Sequence, residues 1–218
     1  MFPFFKKKFL YFPGCFTTSV LPEIVANYEK ILDSLQIPYI MLDDLGCCGA
    51  IAFTNGYKQD FEELRGKNIE IIKDKRIKQL VTNSGNCMQT FALYYGFSVQ
   101  HITQVLVAYT NKFPVKFEEG ISIYDSPSLP VYEEPREILD ALGFDVIELE
   151  KNKDQSLLCG CEGGMIQNTP ELAKKMARSV FDLCTTKKLV VIDPLAYYHL
   201  RNNAPSRLEV IELSEVLL

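Results

Sequence analysis

The sequence predicts an α/β chain built from two tandem repeats, each a small layer of mainly parallel strands crossed over by helices. Short apolar runs alternate with segments of helical periodicity along the whole chain, a pattern that implies parallel βαβ units. The order of these elements is the same in both halves. Their closing segments also match: Val99-Gln100-His101-Ile102-Thr103-Gln104-Val105-Leu106 stands against Val210-Ile211-Glu212-Leu213-Ser214-Glu215-Val216-Leu217, offset by 111 residues. Each half is therefore expected to be a Rossmann-like repeat, the first over residues 1–112 and the second over 113–218, joined by a linker at 111–120 that contains Pro114.

In the first half, Lys8 to Phe12 reads as a buried strand ended by the turn Pro13-Gly14. Ser19 to Leu35 has helical spacing, with Pro22 near its start, where proline is tolerated. Tyr39 to Leu42 is a strand, Phe61 to Ile72 a helix weakened by Gly66, and Ile77 to Thr82 a strand. A short helix from Met88 to Tyr95 stops at Gly96, a strand follows at Ser98 to His101, and a helix covers Ile102 to Tyr109.

In the second half, Ile121 to Tyr124 reads as a strand, and Pro135 to Leu142 as a helix with Gly143 just past its end. Asp145 to Leu149 is a strand. Thr169 is a plausible N-cap for a helix reaching Cys184, because its hydroxyl suits that role and Pro170 follows it. Lys188 to Ile192 is a strand leading into Asp193-Pro194-Leu195-Ala196; Leu208 to Glu212 and Ser214 to Leu218 close the chain as strand and short helix.

The 218 residues are 47% hydrophobic and 23% charged, an ordinary globular composition with ample material for a core. A net charge of −5 argues against nucleic acid as the main partner. No apolar run approaches the length of a membrane span. The apolar start Met1 to Phe5 is too short for a secretory signal, and Lys6-Lys7-Lys8 follows it instead of leading it. A cytoplasmic location is expected, where an odd set of seven cysteines reads as ligands or reactive thiols before disulfides.

The cysteine motifs fall where strands end. Cys15 follows the first strand, Cys47-Cys48-Gly49 the second and Cys87 the third, with 31 and 38 residues in the two gaps. Functional loops in open α/β sheets follow the carboxyl ends of strands, so the topology can bring four sulfurs to one sheet edge. Adjacent cysteines cannot pair with each other without strain. Clustered thiolates beside glycines point to soft-metal ligation, with small buried apolar residues as the plain alternative. The plain reading is preferred for Cys184, in the helical run Phe181-Asp182-Leu183-Cys184. Four sulfurs suit a cubane [4Fe–4S] cluster or a Cys₄ zinc site. Cys159 and Cys161 are close enough to share a metal ion, but no third cysteine lies in a matching loop; a labile thiol pair or a vestigial site fits equally well. Asp193 suits a turn or cap better than a ligand. Neither His101 nor His199 has ligand spacing, and no nucleophile–base arrangement marks catalytic residues.

The chain resembles the cysteine-rich CCG-domain family, which includes the B subunit of heterodisulfide reductase and iron–sulfur subunits of glycolate, lactate and glycerol-3-phosphate oxidation systems. The first half carries the resemblance at Tyr11-Phe12-Pro13-Gly14-Cys15, Cys47-Cys48-Gly49 and Ser84-Gly85-Asn86-Cys87. In the second half it lies in Tyr124-Asp125-Ser126-Pro127-Ser128, Glu134-Pro135-Arg136-Glu137-Ile138-Leu139 and Cys159-Gly160-Cys161-Glu162-Gly163-Gly164. Ser84 replaces the first cysteine of Cys-x-x-Cys, Pro127 or Ser128 a leading cysteine, Gly160 the second cysteine of the later motif (with Cys161 displaced by one), and Asp193 and Ala196 the last pair.

The resemblance implies an electron-transfer or oxidoreductase subunit. Its iron–sulfur cluster would be held by Cys15, Cys47, Cys48 and Cys87, with a ferredoxin-like or flavoprotein partner subunit and a disulfide or quinone acceptor. Full-motif members are expected to hold a noncubane [4Fe–4S] cluster with five cysteines, of which the first half here keeps four. Peripheral association with a membrane complex is compatible with this reading. The alternative is a non-redox interaction or scaffold protein with structural zinc or no metal.

Overall fold

A computed structural model describes residues 8–115 and 120–218. The apolar start and residues 116–119 of the expected linker lie outside the described residues. Two compact units emerge, Met1–Ile102 and Thr103–Leu218.

In the first unit, β1 (Phe9–Tyr11) leads to α1 (Cys15–Val20) and α2 (Pro22–Ser34), then β2 (Tyr39–Ile40), α3 (Ala50–Thr54) and α4 (Lys58–Asp74). β3 (Gln79–Thr82) follows, then α5 (Gly85–Thr90) running into a π-helical turn at Phe91–Tyr95, and β4 (Ser98–His101). The strands are all parallel in the order β2-β1-β3-β4, with Leu10 paired to both Ile40 and Leu80. Phe9, Leu10 and Tyr11 are buried without alternation, as a parallel strand covered on both faces requires.

Past α6 (Ile102–Leu106) and a 3₁₀ segment at Val107–Lys112, the second unit contains β5 (Gly120–Tyr124), α7 (Glu133–Ala141) and β6 (Asp145–Val146). Then come α8 (Met165–Asn168), α9 (Pro170–Asp182), β7 (Lys188–Val191), α10 (Pro194–Asn203), β8 (Glu209–Glu212) and α11 (Leu213–Leu217). Its sheet is again parallel, in the order β6-β5-β7-β8. The α/β reading with two Rossmann-like repeats holds.

Differences from the sequence reading are local. The expected helix from Ser19 is split at Leu21, ahead of Pro22, and its first piece begins at Cys15. The edge strands β2 and β6 are each two residues long, shorter than the runs Tyr39–Leu42 and Asp145–Leu149. Thr169 precedes α9 without capping it by its side chain; its hydroxyl donates instead to the Met165 carbonyl at 3.4 Å. α10 was not expected, because aromatic and asparagine residues in Tyr197 to Asn203 are weak helix formers. Its start is nevertheless well specified: Asp193 Oδ1 accepts the Leu195 and Ala196 N–H groups at 3.1 Å, and Pro194 occupies the first turn. Asp193 is thus a cap, as its residue type suggested.

Two glycines set the cysteine loops. Gly49 has φ +85°, and a Cβ there would lie 2.7 Å from the Phe61 ring of α4. Gly160 has φ +92°, and its Cβ would lie 2.8 Å from the backbone of Ala173 in α9. Both take a left-handed conformation while lying against a helix, so only glycine fits. By contrast Gly66, inside α4, has open space around it.

In the second unit, Arg136 of α7 clamps the loop after β5. Its guanidinium donates to Asp125 Oδ1 and Oδ2 at 2.9 and 2.7 Å and to Glu148 at 2.5 and 2.7 Å. Asp125 is buried, so removing the arginine would strand its charge, a loss on the order of 3–5 kcal/mol.

Gly160→Ala is expected to destabilise the chain by roughly 3 kcal/mol, because the added methyl meets backbone that cannot rotate away. Gly66→Ala should instead stabilise by about 0.5–1 kcal/mol. Equilibrium denaturation of the two variants checks this contrast. A second expectation concerns His101, which ends β4 fully buried. Burial lowers its pKa from 6.5 to about 4, opposed by a backbone hydrogen bond at Asn83. The unfolded chain therefore binds the extra proton first. The contribution is complete above the unfolded pKa of 6.5 and is lost as pH falls toward about 4. Stability should drop by about 2 kcal/mol from this group between neutral pH and roughly pH 5. Urea titrations at both pH values should show that loss reduced in His101→Gln; an equal loss in the variant would refute the assignment.

Candidate metal centre

The first unit brings Cys15, Cys47, Cys48 and Cys87 to the carboxyl end of its sheet. Cys15 opens α1 after the Pro13-Gly14 turn, Cys47 and Cys48 lie in the loop after β2, and Cys87 lies in α5 after β3. The sulfurs form two close pairs, Cys15–Cys47 and Cys48–Cys87, each 3.3 Å apart. Cys48 and Cys87 are buried in the hydrophobic core beside Phe12, Phe61 and Phe91, whereas Cys15 is exposed and Cys47 half-buried. A Cβ on Gly14 would lie 3.0 Å from Cys87 Sγ, so this glycine leaves room for the sulfur.

A second layer of side chains fixes the paired cysteines. Asn68 of α4 accepts the Gly46 N–H at 3.0 Å and donates to the Cys47 carbonyl at 2.9 Å and the Tyr95 hydroxyl at 3.2 Å. Tyr95 in turn donates to the Cys48 carbonyl at 2.9 Å. Sequence reasoning missed both residues. Asn68 was detectable in principle, because it stands on the buried stripe of α4 with Phe61 and Ile72, where an amide needs a specific partner. Tyr95 sits on the π-helical turn, a device that re-aims side chains and is frequent at functional sites.

The electrostatics are those of crowded thiols. Hydrogen bonds from the Cys15 and Cys48 thiols, and then from the Gly49 N–H, hold Cys47 far below the usual thiol range, against the effect of burial. The same contacts, together with burial, push Cys15 and Cys48 upward. One thiolate is thus stabilised by its protonated neighbours. Cys15, Cys47 and Cys48 do not all ionise together without a cation to offset the repulsion. The donors are soft sulfurs alone, which fits iron or zinc and disfavours calcium or magnesium. Beside Cys15 and Cys47 opens a cavity of about 370 Å³, lined also by Thr18, Met41, Asp43 and Gly46.

The second unit keeps the scaffold and changes the donors. Counting from the pairs Leu10↔Leu80 and Ser122↔Leu189, Cys15 corresponds to Pro127. Counting from the ends of β3 and β7, Ser84 and Cys87 correspond to Asp193 and Ala196. The left-handed glycines revise one equivalence. Gly160 matches Gly49 in conformation and in packing on the next long helix, so Cys159 matches Cys48 and Leu158 takes the place of Cys47. Gly160 is therefore the motif's glycine and does not replace a cysteine. Cys159 and Cys161 are buried, and their sulfurs lie with a Glu162 carboxylate oxygen within 4.8 Å of one another. His101 and His199 are remote in role: His101 ends β4, and His199 Nε2 lies 3.1 Å from the Ala173 carbonyl. Cys184 is buried, with its sulfur 3.4 Å from the Thr186 hydroxyl, in keeping with a packing role.

The segment that carries the first unit's four cysteines matches known proteins. Residues 9–92 match the family described as a cysteine-rich domain, CCG. An iron–sulfur protein of Methanocaldococcus jannaschii is 28% identical over 211 residues, covering 91% of this chain and 42% of the relative. The D subunit of the dihydromethanophenazine:CoB–CoM heterodisulfide reductase of Methanosarcina acetivorans is 26% identical over 237 residues, covering 98% of this chain and 58% of the relative. The EtfAB:quinone oxidoreductase of Syntrophomonas wolfei is 27% identical over 131 residues, covering 54% of this chain and 18% of the relative. The chain spans about half the length, or less, of the curated relatives it matches. Four cysteines gathered by the loops of a parallel sheet, within the segment that the family matches, identify the first unit as a cysteine-rich domain of the CCG family.

Proposed function

We propose that Cys15, Cys47, Cys48 and Cys87 hold a [4Fe–4S] cluster and that the protein is an electron-transfer subunit of an iron–sulfur oxidoreductase. The observation that supports this reading is that three loops at one sheet edge carry four cysteines, whose sulfurs form two separate pairs, each with its two sulfurs 3.3 Å apart. When bound, such a cluster supplies one-electron redox chemistry. The chain's own residues do the rest. Asn68 and Tyr95 fix the carbonyls of Cys47 and Cys48, so these two sulfurs are presented without a search through backbone conformations. Phe12, Phe61 and Phe91 exclude water from the inner pair, while Cys15 and Cys47 face the cavity. A small acceptor such as a disulfide would approach there, at the half-exposed edge.

The names of the relatives support a redox partner: one belongs to a heterodisulfide reductase and another is a quinone oxidoreductase. A ferredoxin-like subunit or a flavoprotein would supply the electrons. No helix among the described residues is long and apolar enough to cross a membrane. A reducing cytoplasm, where cysteines stay available as ligands, is the location that goes with this reading.

Zinc is the second reading, in a non-redox interaction or scaffold role. A tetrahedral Cys₄ zinc site with bonds of about 2.3 Å sets its sulfurs roughly 3.8 Å apart, near the spacing of the two close pairs. Anaerobic purification followed by a visible spectrum and metal analysis separates the two. The proposal expects iron, acid-labile sulfide and a broad visible charge-transfer band, all lost in Cys48→Ser and retained in Cys184→Ser. Stoichiometric zinc without colour would support the scaffold reading, and metal content unchanged in Cys48→Ser would refute the ligand set.

A further inference from the structure

The second unit has lost the sulfurs that a cluster needs, yet it retains a compact donor group. Cys159 is completely buried and Cys161 is 4% exposed. Glu162 opens the 3₁₀ turn that follows them. The left-handed backbone at Gly160 turns the chain between the two cysteines, so both sulfurs reach the same side as the carboxylate. The Gly160 N–H donates to Glu162 Oε2 at 3.2 Å and draws the carboxylate back over the loop. Its other oxygen, Oε1, is buried with no hydrogen-bond partner among the described residues. A buried carboxylate oxygen without a donor is costly, and a cation is one of the few groups that offsets that cost.

We propose that Cys159, Cys161 and Glu162 form a mononuclear site for a zinc-like divalent cation, distinct in composition from the centre of the first unit. Two sulfurs and one carboxylate are a borderline-soft donor set, which favours zinc over magnesium or calcium. Tetrahedral zinc with ~2.3 Å sulfur bonds spaces its donors about 3.8 Å apart, inside the 4.8 Å limit that the three donor atoms meet. Three protein ligands leave a fourth position for water or an exogenous ligand, the arrangement of zinc sites that remain open to chemistry. Binding converts two thiols to thiolates and releases their two protons to solvent, so affinity rises with pH. The substitutions at Pro127, Leu158, Asp193 and Ala196 then mark a site converted from cluster to single-ion binding.

The test is a cobalt(II) titration, with zinc competition, of the full-length chain carrying Cys47→Ser and Cys48→Ser, so that the first unit's centre does not contribute. One equivalent of cobalt should bind with a sulfur-to-metal charge-transfer band and be displaced by zinc. Adding Cys159→Ser should remove the band. Adding Glu162→Gln, which preserves size and packing, should weaken cobalt binding at least tenfold while leaving the circular dichroism spectrum unchanged. Where the double-serine background fails to fold, the same variants are read in the otherwise wild-type chain as a loss of one zinc equivalent. Absence of binding, or binding insensitive to both Cys159→Ser and Glu162→Gln, overturns the proposal. Because the first-unit centre is assayed separately by Cys48→Ser, failure of either site leaves the other standing.

Discussion

The constraint on which both sites depend is the parallel sense of the strands. In each unit the first, second and third strands are neighbours and run the same way, so the loops that leave them emerge at one edge. Residues separated by dozens of positions are thereby delivered to a common place. The sheet alone does not aim the sulfurs, however. That falls to a left-handed glycine pressed against a helix, Gly49 on Phe61 and Gly160 on Ala173, which turns the chain immediately after a buried cysteine. Sheet and glycine together give the loop one conformation, and the donors follow from it.

The two units show what can change on such a scaffold. In the first, four cysteines remain, and the amide of Asn68 and the hydroxyl of Tyr95 support two of them, Cys47 and Cys48, by way of the backbone. In the second, the place of the third-strand cysteine pair is taken by Asp193, which caps α10, and by Ala196, which packs inside it. The loop after β5, where the first unit has Cys15, is held by the Asp125–Arg136–Glu148 ion-pair network. A helix cap and a clamped arginine specify local geometry in the loops where the first unit carries Cys87 and Cys15. The remaining thiols at Cys159 and Cys161 then share their surroundings with a carboxylate, which alters the hardness and number of the donors.

Much of this was legible in the sequence, for physical reasons that differ by element. β4 and β8 were read correctly because buried strands and the helices that follow them leave a repeated apolar pattern. The placement of Cys15, Cys47, Cys48 and Cys87 at strand ends followed from topology. What escaped was set by tertiary contact. Asn68 reads as an ordinary polar residue within a helix until the Cys47 carbonyl is brought beside it. α10 has weak intrinsic propensity and is held by burial of Ala196, Tyr197 and Leu200. The equivalence of Gly160 with Gly49 depends on backbone conformation, which letter-by-letter matching of Cys-Cys-Gly to Cys-Gly-Cys does not reveal.

The central claim is that the first unit's four sulfurs surround iron. X-ray absorption at the iron and zinc edges of the anaerobically purified chain tests it most directly, since it reports both the metal and its neighbours. The account predicts an iron edge with an all-sulfur first shell and a resolved iron–iron distance, absent from Cys48→Ser. An absent iron edge, with a zinc edge surrounded by four sulfurs, would contradict it.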